Sequence, residues 1–462
     1  MFKPPFTVPK RTLTEPSAAK HNGGADNENY DLIMHVGDTL GSSVPGGQAG
    51  LLEGSRYTIL GTLGQGTFGQ VVKCRDEIQG RLVAIKVLKN RPAYYKQGLL
   101  EVGILTAVNT NCDPTKRHCC LRLLDHFLFF NHLCIVNELL SISLFDLIKQ
   151  RKFKGLNVRL IRALLKQILY AMMALDREHI VHCDLKPENI LLDQPPDVRI
   201  TLIDFGSACY ERSTLYTYIQ SRHYRAPEVI LGLQYSTALD MWSLGCIAAE
   251  LLIGIPLFPG ANEYNQLFKI TSMLGPVPSR MVEKGANAGK YYRADADVLG
   301  KYRFKTVAEF ERDSGIPIPD DKRYIKYDSL DELVRCVSIK TIPGDGTNVP
   351  EVRKSFLHFL KSILVIDPTK RITAAQAFEH PFITGKPLPD DYQHPKREFP
   401  PIPIMEYKRH DKSSLKLRAP PSETYEAFCR SIFDEHKLID MATGVTLCNL
   451  KNPLVPARSL VM

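Results

Sequence analysis

The chain has little that would take it out of water. Among its 462 residues there is no apolar run of about 18 or more, so no membrane-spanning helix is expected. Its opening, MFKPPFTVPKRT, lacks the apolar h-region of a secretory leader. The cysteines lack a framework. Most of the eleven sit singly in apolar runs, as Cys134 does in HLCIV and Cys246 in SLGCIAAE, where a free thiol serves as a small core residue. The one cluster, NCDPTKRHCC, has adjacent cysteines and none of the C-x2-C spacing of a zinc site, so a loop running into a buried strand is expected there. Reduced thiols of this kind suit the cytoplasm, the nucleus or both. Charge is not extreme either. A net +9 is too dilute at this length to point to nucleic acid and instead fits acidic or phosphorylated partners. No internal repeat is present.

What is present is an ordinary globular composition, 44% hydrophobic and 24% charged, enough for a large core. Residues 1–26 are rich in Pro, Thr, Asn and Gly without periodicity and are expected to be disordered. Apolar residues return in NENYDLIMHVGDTL (27–40), and GSSVPGGQAG (41–50) reads as a flexible loop. From Tyr57 onward strands alternate with turns: YTILGTL, QVVKCRD, RLVAIKVLK and HLCIVNELL. Between them a helix over 94–108 would turn Leu99, Val102, Leu105 and Val108 to one side. Past residue 144 the texture becomes helical, in SLFDLIKQ, VRLIRALLKQILYAMMALDRE and STALDMWSLGCIAAELLIG. The pattern is α+β: a small β-rich lobe at 57–140, preceded by a docking segment at 27–56, and a larger helical lobe at 141–382. Residues 275–350 are mixed and polar and read as an insertion. From 383 the chain is a Pro-rich tail with one helix predicted at 422–436, capped by Ser422 and presenting Tyr425, Phe428, Ile432 and Phe433 on one face.

The chemistry lies in short motifs. GQGTFGQV (64–71) is G-x-G-x-x-G-x-V between two strands, a loop whose glycines let backbone close over phosphates. A strand follows it and not a helix, which argues against a dinucleotide fold. In VAIK, Lys86 would reach the α and β phosphates, paired with Glu101 on the following helix. HCDLKPEN (182–189) approaches H-R-D-x-x-x-x-N: Asp184 would accept the proton of a substrate hydroxyl and Asn189 would hold magnesium, as would Asp204 in LIDFG. RAPE (225–228), Asp240 and Arg371 follow in order. One motif alone could be chance; all of them in sequence could not.

These residues resemble a eukaryotic protein kinase over about 27–385, with its bilobal fold. Within the CMGC group the chain resembles the dual-specificity tyrosine-regulated (DYRK) family, above all its Yak-type branch. The likeness is carried by NENYDLI, LGQGTFGQVVKC, NRPAYYKQ, HCDLKPENILL, DFGSAC, YIQSRHYRAPEVILG and LDMWSLGCIAAELL. Cys183, where many kinases have arginine, is itself a mark of that family. A neutral thiol cannot grip a phosphate, so activation has to be routed differently.

The resemblance implies an ATP- and Mg2+-dependent kinase, acting as a monomer on Ser or Thr of protein substrates, with proline favoured after the target. It implies self-phosphorylation of Tyr218, with Arg222 and Arg225 as the phosphotyrosine's partners. Lys186 would steady the transferring phosphoryl group, and Ser221 would tie the activation segment to Asp184. The nucleotide would be covered by Leu63, Gly64, Gln65, Gly66, Thr67, Phe68 and Gly69. Its adenine would lie between Val71 and Ala84 on one side and Leu191 on the other, bonded by backbone at Glu138 and Leu140. Glu228 and Arg371 would form a buried ion pair, Asp240 would brace the catalytic loop, and NENYDLI would dock on the small lobe. Asn137 departs from the large apolar residue usual before Glu138: either its amide finds a bond, or nucleotide and inhibitor selectivity changes. A pseudokinase scaffold is the alternative, and the tail helix is either a partner site or folds back on its own domain. Lys86, Glu101, Asp184, Asn189 and Asp204 are all present, against the scaffold.

Overall fold

The computed structural model describes residues 10–41, 57–112, 119–193, 199–211, 218–295, 301–319, 325–341 and 346–395, with strand backbone at 438–440 and 445–447. The predicted helix at 422–436 and the loop at 42–50 lie outside the described residues. The chain divides into two compact units, one built mainly from residues up to Thr110 with Leu121–Leu140, the other from Asn111–Cys120 and Ser141–Pro453.

In the first unit β1 (Thr39–Leu40), β2 (Tyr57–Gln65), β3 (Gly69–Asp76), β4 (Arg81–Leu88), β5 (Leu123–Phe129) and β6 (His132–Glu138) form one antiparallel sheet ordered β1-β2-β3-β4-β6-β5. α1 (Pro92–Ala107) joins β4 to the later strands, opening with proline at its first turn, where no N–H is needed. Period-two alternation sorts the sheet's faces. Val72, Cys74, Val83, Ile85, Cys134 and Val136 are buried on one face. Ala84 and Lys86 point to the other, opposite Asn137 and Ile135. α1 comes close to the strands because Leu88 and Leu133 side chains fill the space a Cβ on Gly98 would take. Of the predicted helical stripe, Val102, Leu105 and Val108 are buried, but Leu99 is 44% exposed. The buried arc runs instead through Gly98, Glu101 and Ile104.

The expected disorder of residues 1–26 does not hold for residues 10–26. Thr14 and Asp26 are fully buried, and Leu13 N donates to Met34 O at 2.8 Å. Leu32, Met34 and Leu40 complete the apolar cluster on the outer sheet face. The segment's polar side chains are satisfied by partners far along the chain, which its composition does not reveal.

The second unit begins with α2 (Leu144–Gln150), opened by a capping box of Ser143 and Asp146, and α3 (Val158–Arg177), capped by Asn157. Short strands follow: β7 (Ile180–Val181), β8 (Ile190–Leu192), β9 (Ile200–Leu202) and β10 (Cys209–Tyr210), paired β7 with β10 and β8 with β9. Then come α4 (Pro227–Ile230) and α5 (Ala238–Ile253). From Leu239 to Leu252 every residue of α5 is buried, the mark of a central core helix. Residues 275–350, expected to be a mixed insertion, hold short helices and one hairpin joined by irregular stretches where described. After α6 (Glu263–Leu274) come α7 (Ser279–Lys284), α8 (Ala288–Tyr291), the hairpin β11 (Tyr292–Ala294) and β12 (Tyr302–Phe304), α9 (Val307–Ser314) and α10 (Leu330–Cys336). Then α11 (Val349–Ile363), α12 (Ala374–Phe378) and α13 (Pro381–Thr384) close the core, and β13 (Leu438–Asp440) pairs with β14 (Val445–Leu447). Among the described residues no helix is long and apolar enough to cross a membrane.

Candidate active site

The first unit carries a lysine on β4 and the glycine-rich turn between β2 and β3. Lys86 on β4 places Nζ 2.9 Å from both carboxylate oxygens of Glu101, which α1 buries to 4% exposure. The stretch Gly64–Gly69 runs from the end of β2 through the turn into β3. It is closed by Gly66 N donating to Gly69 O at 2.8 Å and by Lys89 N donating to Phe68 O at 3.0 Å. Leu63, Gly64 and Gln65 end β2, with Thr67 and Phe68 at the turn. A Cβ on Gly69 would collide with Val87 O, so the backbone approach needs glycine. Val71 pairs with Lys86, and Ala84 with Asn137. Glu138 and Leu140 follow directly. Glu138 N donates to Arg122 O at 3.3 Å, and its side chain accepts from Arg122 N.

Asn137 is 7% exposed, and its Oδ1 is enclosed without a hydrogen-bond partner. No protein donor meets that oxygen. An unsatisfied buried acceptor costs about 1–3 kcal/mol. Asn137→Leu, with the same branching at Cγ, should raise stability by about 1 kcal/mol or more. Urea unfolding would measure this, and a lower midpoint in the variant would show that the amide is satisfied after all.

In the second unit the catalytic loop runs from β7 to β8. Asp240 on α5 braces it from below, accepting His182 N at 2.7 Å and Cys183 N at 3.1 Å. Burial pushes the Asp240 carboxyl up to about 8, and the two N–H donors pull the other way. Asp184 is held by four donors. Its Oδ1 accepts from Ser221 N and Oγ, both at 2.9 Å, and its Oδ2 accepts from Lys186 Nζ at 2.8 Å and Asn189 Nδ2 at 3.1 Å. Lys186 Nζ also reaches Ser221 Oγ at 3.0 Å. Asn189 Nδ2 donates further to Asp184 O at 2.9 Å, so the amide is oriented by its nitrogen end. Asp204 sits in the left-handed region, φ 60°, where its carboxylate accepts from Gly206 N. Leu191 lies on β8 opposite Thr201.

Cys183 is wholly buried, its Sγ 3.8 Å from Cys209 Sγ and 3.6 Å from Val181 O. Tyr218 is 68% exposed, with the Arg225 guanidinium 4.0 Å from its ring centroid. Arg225 is itself buried. It donates to Ile219 O at 2.9 Å, Gln220 O at 2.8 Å and Glu263 Oε1 at 3.0 Å, whereas Arg222 Nη1 donates to Ala261 O at 2.6 Å. Both arginines hold backbone in the unphosphorylated chain. Glu228 and Arg371 meet in a two-pronged pair, at 2.9 and 3.1 Å.

Reading the motifs missed Glu263, the carboxylate partner of Arg225, and Tyr224, whose hydroxyl donates to Glu250 Oε2 at 2.6 Å. Burial raises the Glu250 carboxyl to about 8. Glu263 stands outside every motif, and Tyr224 lies within YIQSRHYRAPEVILG without an assigned role there, so neither contact was marked in advance. Among the described residues no group of three or more His, Cys, Asp or Glu could by itself hold a metal. The amide and carboxylate oxygens of Asn189 and Asp204 are hard donors, few in number, as suits magnesium that keeps phosphate and water ligands.

A protein kinase domain matches residues 57–383. The chain belongs to the protein kinase family, on its Yak-type branch. It is 48% identical over 380 residues to the serine/threonine-protein kinase ppk15 of Schizosaccharomyces pombe, covering 82% of this chain and 69% of that one. It is 45% identical over 414 residues to the dual specificity protein kinase YAK1 of Saccharomyces cerevisiae, covering 87% and 50%. It is 43% identical over 447 residues to the probable serine/threonine-protein kinase yakA of Dictyostelium discoideum, covering 93% and 29%. The chain thus spans half or less of the length of the latter two. A kinase domain performs ATP-dependent transfer of phosphate to protein substrates, and the scaffold alternative is set aside.

Proposed function

We propose that this kinase phosphorylates Ser and Thr in protein substrates, favouring sites followed by proline, and phosphorylates itself on Tyr218. The observation that carries the proposal is the set of four donors around Asp184. Ser221 and Lys186 fix the carboxylate as an acceptor for an incoming hydroxyl's proton, and the same two side chains bond each other. Lys186 then stands beside the reacting oxygen to steady developing charge. Lys86, oriented by Glu101, would bind the α and β phosphates of ATP, and Asn189 and Asp204 would hold Mg2+, which neutralises phosphate charge. Most of the work of this chain is positioning, because phosphoryl transfer needs little covalent help.

The arrangement at Tyr218 supports activation without an arginine at position 183. Arg225 already touches the tyrosine ring and organises the loop from Ile219 to Gln220. A phosphate on Tyr218 adds about −1.5 to −2 charges beside the Arg225 guanidinium, with Arg222 four residues further along the chain as a second candidate partner. The test is mass spectrometry of protein made in bacteria, wild type beside Lys86→Met. Phosphate on Tyr218 in the first and not in the second is expected. A bare Tyr218 in soluble, ATP-binding wild type would overturn self-activation.

A further inference from the structure

The residues ahead of the kinase domain do more than cover the sheet. Two side chains of the glycine-rich loop's strands, Gln65 and Gln70, are tied to them. Thr14 Oγ1 lies 2.8 Å from both Gln70 Oε1 and Leu32 O and accepts from Met34 N at 3.0 Å. Gln70 Nε2 donates to Leu32 O at 2.9 Å, and both Thr14 and Gln70 are buried. At the loop's other end Gln65 Nε2 donates to Glu15 O at 2.9 Å and approaches Asp31 Oδ2 at 3.4 Å. Asp31 is 2% exposed with Oδ1 unpartnered, and desolvation raises its carboxyl although Lys89 stands 3.9 Å away.

The segment is anchored elsewhere, so it can act as a fixed support. Asp26, fully buried, receives His132 Nε2 at 2.8 Å and Asn90 Nδ2 at 3.0 Å, and Tyr30 O accepts from Asn90 N at 3.0 Å. Tyr30 is held between the His21 ring, 4.1 Å away, and the Arg91 guanidinium, 4.2 Å away. These grips fall on β6 and on the residues that lead into α1, away from the loop.

We propose that Thr14 and Asp31 are positioning residues for phosphoryl transfer, holding the glycine-rich loop by Gln70 and Gln65 in the conformation that receives the phosphates of ATP. The inference rests on the kinase reading, which supplies the loop's ligand. A glycine-rich loop has few side chains of its own to fix it, and every conformation it samples other than the receptive one weakens nucleotide binding. The support acts through the loop alone, so it affects phosphates and not the base.

The test is charge and rescue, read by calorimetric affinity for Mg-ATP and for adenosine on the full chain. Gln65→Glu replaces a donor by a carboxylate facing Asp31 and Glu15 O, and should weaken Mg-ATP binding about tenfold while leaving adenosine unchanged. Adding Asp31→Asn supplies a donor to the new carboxylate and should restore most of the loss. A direct repulsion between that carboxylate and the phosphates would persist in the double variant, and that result would overturn the proposal. Thr14→Val should weaken Mg-ATP in the same selective way and Thr14→Ser should not. Equal loss for ATP and adenosine in Thr14→Val would reduce Thr14 to a structural role. Affinity is measured without turnover, so absence of kinase activity in wild type would sink the functional reading and leave this outcome legible.

Discussion

Replacing Arg371 by leucine should lower the stability of the larger unit by about 3–5 kcal/mol, the largest loss expected from any single substitution here. The guanidinium and the Glu228 carboxylate are at 0% and 1% side-chain exposure, so removing one partner leaves the other charged, enclosed and without water. The pair joins α4 to the stretch leading into α12, and Arg371 also donates to the carbonyls of Ala238 and Val365. The double change Glu228→Leu with Arg371→Leu should recover much of the loss, because a buried ion pair repays its own desolvation only in part. The remainder reports the orphaned carbonyls. Urea unfolding of the three variants measures this cycle; a double variant as unstable as the single one would mean that the carbonyl bonds, not the charges, dominate.

The second large effect is on rate. Asp184→Asn should reduce peptide phosphorylation by about 100- to 10,000-fold while leaving the melting temperature close to wild type. The amide keeps the shape of the carboxylate, but it has one acceptor atom where the site offers donors to two: Ser221 N and Oγ on one side, Lys186 and Asn189 on the other. Its NH2 must face one of those sets, and it cannot take up the substrate's proton. Affinity for Mg-ATP should change little, since Lys86 and the glycine-rich loop are untouched. A loss of nucleotide binding comparable to the loss of rate would place Asp184 in binding instead of proton acceptance.

Much of the site was legible before any coordinate was known, because the chemistry requires particular residue types at short, fixed spacing. Asp184, Lys186 and Asn189 fall within one eight-residue motif, and a loop that covers phosphates must have its glycines close together. Strands β2 to β4 were legible for a similar reason: alternation records a sheet with one buried face. Leu99 was misread because helical spacing groups residues into an arc without saying which arc the rest of the protein will cover. At Asn137 sequence offered a bonded amide or altered nucleotide and inhibitor selectivity, and the fold shows only that no protein group bonds Oδ1.

The amino-acid sequence by itself determined the fold class, the family and the set of side chains proposed to act on ATP and hydroxyl, since all of these are written in local runs. Tertiary structure decided what residues 10–26 pack and bond against, how deeply Cys183 is buried, and which carboxylate Arg225 takes. Thr14 finds Gln70 at 56 positions' distance and Asp26 finds His132 at 106. A polar residue reads as solvent-exposed until its partner is known, and partners that far apart in the chain are brought together only by the folded core.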